Sequence, residues 1–139
     1  MSMLKIFDVA SSAVSAQSQR LNAVATNLSN VDTLAGPDGQ PFKARQVVFQ
    51  SVLMGSGAQA NATVGVRVST ITESDAPGRR VLDPNNKVAD ADGYVTYSNV
   101  NPVEEMVNMI SASRSYQNSV EVMNTARSLL QKTLQMGQG

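Results

Sequence analysis

The stretch that decides the fold is MVNMISASRSYQNSVEVMNTARSLLQKTL, residues 106–134. Steps of three and four residues through it land on Met106, Met109, Ser113, Tyr116, Val120, Met123, Arg127, Leu130 and Leu134. This is a heptad seam, the pattern of a helix that lays one apolar stripe against a partner helix. The same steps near the start of the chain pick out Met3, Phe7, Ala10, Val14, Gln17, Leu21, Val24, Leu28 and Val31. Two matching stripes at the two ends of one chain predict two long helices that pair as a coiled coil. Ser113 and Arg127 interrupt the second stripe, and Gln17 the first. Each polar seam group reads either as a register lock or, for Arg127, as a side chain with its stem packed and its head in water.

The start of the second helix is written clearly. Asn101 is a good N-cap, Pro102 suits the first helical position, and Glu104 and Glu105 favour the positive end of the helix dipole. The helix is expected from Pro102 to Met136, and the first helix from Met3 to Val31, a window without Gly or Pro. Opposite its apolar stripe the first helix carries Ser11, Ser12, Ser15, Ser18, Gln19, Asn22 and Thr26. A small, polar, uncharged face suits close contact with another protein better than it suits bare solvent, where Glu and Lys are usual.

The middle of the chain has a different texture. Gly36-Pro37-Asp38-Gly39-Gln40-Pro41 is a dense turn signal. Arg45 to Leu53 reads as a strand with Val47, Phe49 and Leu53 on one face, and Val64, Val66 and Val68 alternate along a second strand running to about Thr72. Gly55 to Ala62 reads as a flexible connection. Arg79 to Leu82 is a short stretch between turns, and Tyr94 to Tyr97 reads as a last short strand. The fold class is therefore mainly α with a small, loop-rich β-hairpin insert: residues 1–35 form the N-terminal helix and its Asn-rich end, 36–100 the insert, and 101–139 the C-terminal helix.

Composition narrows the chemistry. The 139 residues hold eleven basic and eleven acidic side chains, a formal net charge of zero, and no Cys, His or Trp. Thiolate and imidazole metal sites, disulfides, and Ser-His-Asp or Cys-His catalysis are all excluded. The charge balance gives no reason to expect nucleic acid or an anionic lipid surface. No apolar run is long enough to span a membrane, and no secretory h-region follows Lys5, because Asp8 and several serines interrupt it. Taken alone, these features predict a soluble, cytoplasmic protein. Gly55-Ser56-Gly57-Ala58-Gln59-Ala60 has dinucleotide-turn spacing, but a strand follows it where that motif needs a helix. Asp90-Ala91-Asp92-Gly93 is half of a calcium loop that lacks its later Glu, and reads as an Asp-Gly turn. No catalytic, metal or cofactor site is expected.

Several segments together carry a family resemblance. Ala25-Thr26-Asn27-Leu28-Ser29-Asn30-Val31-Asp32-Thr33 resembles the Asn-rich motif that ends the first helix in rod and hook proteins of the bacterial flagellum. Glu105 to Gln117 resembles the matching C-terminal signature, with Glu105, Arg114 and Tyr116 in place. Gly36 to Phe42 and Asp90 to Val95 are similar to the proximal-rod branch. Thr26 and Ser29 depart from the wider family's Asn and Ala, and Asn118-Ser119 replaces its Ala-Asn. The motif residues are thus Asn27, Asn30, Asp32, Thr33, Glu105, Arg114 and Tyr116.

The resemblance implies a structural subunit of the proximal rod, exported through the flagellar type III apparatus without a cleaved signal peptide, so it displaces the cytoplasmic expectation. The partners it implies are the chain itself, the B- and F-type proximal-rod subunits, the G-type distal-rod subunit, and the protein joining export apparatus to MS ring. A soluble coiled-coil adaptor or chaperone is the rival reading from another class, although such proteins are richer in charge than the 16 % found here.

Overall fold

A computed structural model describes residues 3–55 and 62–138. The connection expected between the two longer strands falls mostly on residues 56–61, outside the described residues, as does the dinucleotide-like turn.

The element order is α1 (Met3–Ser29), β1 (Arg45–Met54), β2 (Thr63–Glu73), β3 (Arg80–Leu82), β4 (Tyr94–Thr96) and α2 (Pro102–Gly137). Two long terminal helices enclose a small antiparallel β region, as the periodicities predict. α1 stops two residues short of Val31. Asn30 and Ser29 turn their side chains back onto the Thr26 and Ala25 carbonyls at 2.8 Å each, and Val31 and Asp32 lie in the turn. Polar side chains that compete with the backbone in this way favour helix ends. α2 begins where its cap predicts: the Asn101 side-chain oxygen accepts the Val103 and Glu104 amide hydrogens.

α1 and α2 pack against each other and run antiparallel, since the last turn of α1 touches the first turn of α2 at Asn27 and Glu105. The buried row of α2 passes through Glu105, Ala112 and Ala126, with Met109, Tyr116, Ser119, Met123 and Leu130 half-buried between and beyond them. It is a heptad row whose deepest positions stand one residue before Met106, Ser113, Val120 and Arg127. Small side chains occupy the point of closest approach, and bulkier ones flank it. On α1 the deepest positions are Ala10, Ala16, Ala23, Val24 and Asn27.

β1 and β2 form a two-stranded antiparallel ribbon, with Arg45 opposite Glu73 at its base and Met54 opposite Thr63 near its tip. The ribbon lies along α1. Near the tip, the Ser12 hydroxyl accepts the Val66 amide hydrogen and donates to the Val9 carbonyl. Ser12, Ser15, Ala16 and Gln19 share a groove with Val52, Met54, Val66 and Val68. The chain's own ribbon thus takes up Ser12 of the serine face, while Ser11, Ser15, Gln19 and Asn22 stay exposed. Gly65 is what permits the approach: a Cβ there would overlap the Ser12 hydroxyl and the Met54 sulfur. Of Val47, Phe49 and Leu53, expected on one face, Val47 is half-buried and Leu53 exposed, while Val52 and Met54 are half-buried. The register shifts between Val48 and Phe49, and such a bulge increases the twist and re-aims the strand.

β3 and β4 make a second small sheet, and Leu34 bridges to Tyr97 beside it. The two arginines of the turn region serve as lids on aromatic rings. Arg79 lies 4.6 Å from the Tyr97 centroid, and Arg80 lies 4.7 Å from that of Tyr94, close enough for cation–π attraction. Asp90 accepts the Tyr94 and Asp92 amide hydrogens and the Arg80 guanidinium, which explains the Asp-Gly turn. The Tyr94 amide, foremost among these donors, holds the Asp90 carboxyl below its ordinary value. A depressed carboxyl favours the fold at neutral pH, and that contribution is lost as pH falls through the folded value. Gly78 sits directly under the Tyr97 carbonyl, so a Cβ would strike backbone. Gly78→Ala is expected to destabilise the protein by about 1–3 kcal/mol in urea unfolding, the usual cost of overpacking.

Candidate functional site, a buried asparagine hub

Five segments converge where α1 ends and α2 begins, and polar side chains hold them. Asn27 is fully buried on the last turn of α1. Its amide pairs with Arg45 as a neighbouring strand would: Oδ1 accepts the Arg45 amide hydrogen at 2.8 Å, and Nδ2 donates to the Arg45 carbonyl at 2.8 Å. The other Nδ2 hydrogen goes to Glu105 Oε2 at 3.0 Å. Both Asn27 donors are then in use, and one side chain fixes α1, β1 and α2 together. Glu105 is itself buried, and its Oε1 accepts from Asn108 Nδ2 at 3.3 Å. With both carboxylate oxygens engaged by amide donors, Glu105 acts as an acceptor that anchors the first turn of α2.

A second asparagine extends the hub. Asn99 Oδ1 accepts the Ala44 amide hydrogen at 2.6 Å, and its Nδ2 donates to the Ser74 and Ala76 carbonyls. It thereby closes the base of the ribbon onto the segment leading into α2. Ser98 donates its hydroxyl to the Val31 carbonyl at 2.8 Å, and its amide to that of Thr33. Neither Asn99 nor Ser98 stands out in sequence, since each sits in a loop without periodicity. The available signal was density: Ser98, Asn99 and Asn101 crowd the approach to a helix cap.

The candidate interface residues divide by location. Ala10 and Val24 are buried, and Met3, Phe7, Val14, Gln17, Leu21 and Leu28 are half-buried on α1, with Val31 half-buried in the turn beyond it. Gln17 Oε1 is buried without a hydrogen-bond partner among the described residues. On α2, Met109, Ser113, Tyr116, Val120, Met123 and Leu130 are half-buried, whereas Met106 is 55 % exposed, Leu134 is 60 % exposed, and Arg127 is also exposed. Of the motif residues, Asn27 and Glu105 meet although 78 positions apart in sequence. Asn30 and Thr33 bond to each other in the turn. Asp32 is exposed, 3.6 Å from Arg79. Arg114 stands apart from the hub, exposed beside Val107 and Ile110.

The arrangement offers no nucleophile or paired acid and base. What it does chemically is hold backbone segments in register. Among the described residues no group of acidic side chains is placed to bind a metal, and no helix is long and apolar enough to cross a membrane.

Comparison with known proteins matches residues 7–34 to the family described as "Flagella basal body rod protein". Residues 91–136 match "Flagellar basal body rod FlgEFG protein C-terminal". The flagellar basal-body rod protein FlgC of Yersinia enterocolitica is 56 % identical over 138 residues, covering 99 % of this chain and 100 % of the relative. That of Salmonella typhimurium is 54 % identical with the same coverage. That of Bacillus subtilis is 38 % identical over 94 % of this chain and 95 % of its own length. The two family matches hold the two sides of the Asn27–Glu105 contact, the relatives align along nearly the whole chain, and the protein accordingly belongs to the FlgC family of flagellar basal-body rod proteins, which are structural proteins and not enzymes.

Proposed function

We propose that this rod protein polymerises through its terminal helices as part of the proximal rod, a helical tube that transmits torque for motility. α1 and α2 pair in coiled-coil fashion within the subunit, and their outer faces meet helices of neighbours: further copies of the chain, the other proximal-rod subunits, the distal-rod subunit and the junction protein at the export apparatus. The chain reaches the rod through the flagellar type III export apparatus without a cleaved signal. The observation that carries this reading is a row of large apolar side chains left bare on α2, including Val103, Met106, Val107 and Ile110, in a protein whose family is axial. Bare apolar surface of this kind is costly in water and marks a contact. The hub supports the mechanical side, since it ties both helices and the ribbon into one body.

The test is complementation of a strain lacking the protein. Val120→Asp places a charge at the rim of the α1–α2 contact, where burial without a partner costs several kcal/mol. It is expected to abolish swimming and co-purification with basal bodies. Normal swimming by this variant would show that the face is not buried in the rod.

A further inference from the structure

The two edges of the β1–β2 ribbon have different fates. Antiparallel strands point the amide and carbonyl of alternate residues out of the ladder. On β2, Val66 is such a residue, because its amide goes to the Ser12 hydroxyl instead of to β1. On β1, Arg45 is another, because its amide and carbonyl go to the Asn27 side chain. Val66 faces Ser51 in the ladder, an even number of residues on from Arg45, so the two observations agree on the phase of β1. Val47, Phe49, Ser51 and Leu53 therefore turn their backbone groups outward. α1 crosses the ribbon from the β1 edge at its base to the β2 edge near its tip, and α2 does not pack on β1. Among the described residues nothing pairs with the outward groups of Phe49, Ser51 and Leu53.

Proteins blunt a bare edge with lysine, proline or a bulge. β1 has none of these along its open length. Gln46 to Met54 holds no charge, no proline and no glycine. The extra residue of the bulge is Ser69 on β2, passed over between the Val48–Thr70 and Phe49–Val68 pairs, so β1 itself runs without interruption. Phe49 is 36 % exposed and Leu53 70 % exposed. Arg67, opposite Gln50 and bonded to it, stands one strand back from the edge. The segment also matches itself in reverse. Read about Gln50, Val47 corresponds to Leu53, Val48 to Val52, and Phe49 to Ser51.

We propose that β1 of the free subunit pairs antiparallel with β1 of a second copy about Gln50, joining two ribbons into a four-stranded sheet. In that register outward residues meet outward residues, Val47 with Leu53 and Phe49 with Ser51, so each pair exchanges two backbone hydrogen bonds. No charge opposes the approach, and apolar side chains meet apolar ones at both ends of the pairing. Asn27 bounds it, because it holds the edge at Arg45, where the second copy's Gly55 falls just past the end of its β1. The contact is isologous and closes at two copies, so it builds no tube and stands independently of the rod reading. What it does is cover an edge that would otherwise pair with other chains. A pairing this short is smaller than a standard interface, so the dimer exchanges with monomer at about 0.1–1 mM.

Sedimentation equilibrium of the purified full chain, up to roughly millimolar concentration, tests the contact. The wild-type mass should rise with concentration toward that of a dimer. Ser51→Lys and Ser51→Glu each set two like charges about 7–8 Å apart across the dyad, and each should stay monomeric. Their urea midpoints should remain near wild type, because Ser51 is exposed and its amide lies outside the β1–β2 ladder. Mixed in equal amounts, the two variants should dimerise again, more strongly than the wild type. The chain has no cysteine, so an introduced thiol reports the register. Gln50 meets its own copy at a position without backbone bonds, where Cα atoms lie about 4.5 Å apart, within disulfide reach. Gln50→Cys should therefore oxidise to a linked dimer, and Ser69→Cys, on the other strand, should not. A wild type that stays monomeric, a Ser51→Lys variant that associates like the wild type, a mixture that stays monomeric, or equal linking at both thiol positions would each overturn the contact.

Discussion

Asn27→Leu should bring the protein close to unfolding. Leucine keeps the branched shape of asparagine, so the change opens no void; its effect comes from lost hydrogen bonds, with some overpacking where methyl groups replace atoms held at 2.8 Å. It orphans the Arg45 amide hydrogen and carbonyl, which are part-buried, and removes the donor held by buried Glu105 Oε2. Each unsatisfied buried group costs about 1–3 kcal/mol, more where a charge is involved. A total of roughly 3–6 kcal/mol compares with a whole-protein stability of about 5–15 kcal/mol. The measurement is urea unfolding by circular dichroism, with hydrogen exchange at the Arg45 amide as the local report. Asn27→Asp separates the hub from general damage at the site. It keeps the acceptor for Arg45 but sets a second carboxylate against Glu105. Two facing carboxylates raise the affinity of the pair for a proton in the fold. Stability of Asn27→Asp is therefore highest at mildly acid pH and lost as pH rises through the raised folded value, whereas Asn27→Leu does not recover on acidification.

The two helices, their cap and the two longer strands were legible in sequence because each rests on local chemistry: stripe period, Asn101-Pro102, alternating valines. Burial along α2 was less legible: Met109, Tyr116, Met123 and Leu130 are half-buried, but the deepest positions after Glu105 are Ala112 and Ala126, beside Ser113 and Arg127. Choosing positions by hydrophobic size misses alanines, which become the deepest residues wherever two backbones approach closely. The destination of Ser12 was illegible for a related reason. Nothing local states that a ribbon some fifty residues onward returns to lie on Ser12, and the glycine that permits it, Gly65, reads as an ordinary strand interruption. Asn27 and Glu105 were both visible as motif residues, but read locally as a helix-end turn former and as a charge compensating the helix dipole. Their meeting is a fact of topology, created by the antiparallel return of α2.

Ala112→Glu should have an effect as large as that of Asn27→Leu, through a different mechanism. Ala112 is 0 % exposed at the centre of the buried row of α2. A glutamate there must either bury a carboxylate without a partner or push the helices apart, at a cost of about 4 kcal/mol or more. Loss of cooperative thermal unfolding by circular dichroism is expected, together with loss of swimming in a complemented strain. Ala112→Ser, which adds one hydroxyl and little volume, should stay near wild type in both measurements. Met106→Ser gives the informative contrast, because Met106 lies beside the same helix contact but is exposed. It should change the stability of the isolated subunit by no more than about 0.5 kcal/mol, as surface substitutions do. It should nonetheless weaken incorporation into basal bodies if the outer face of α2 meets a neighbour. A large stability loss from Met106→Ser, or an unaffected Ala112→Glu, would move the in-chain seam back to the row that runs through Met106 and Arg127. The pair thus separates what the helices do for their own subunit from what they do for the next.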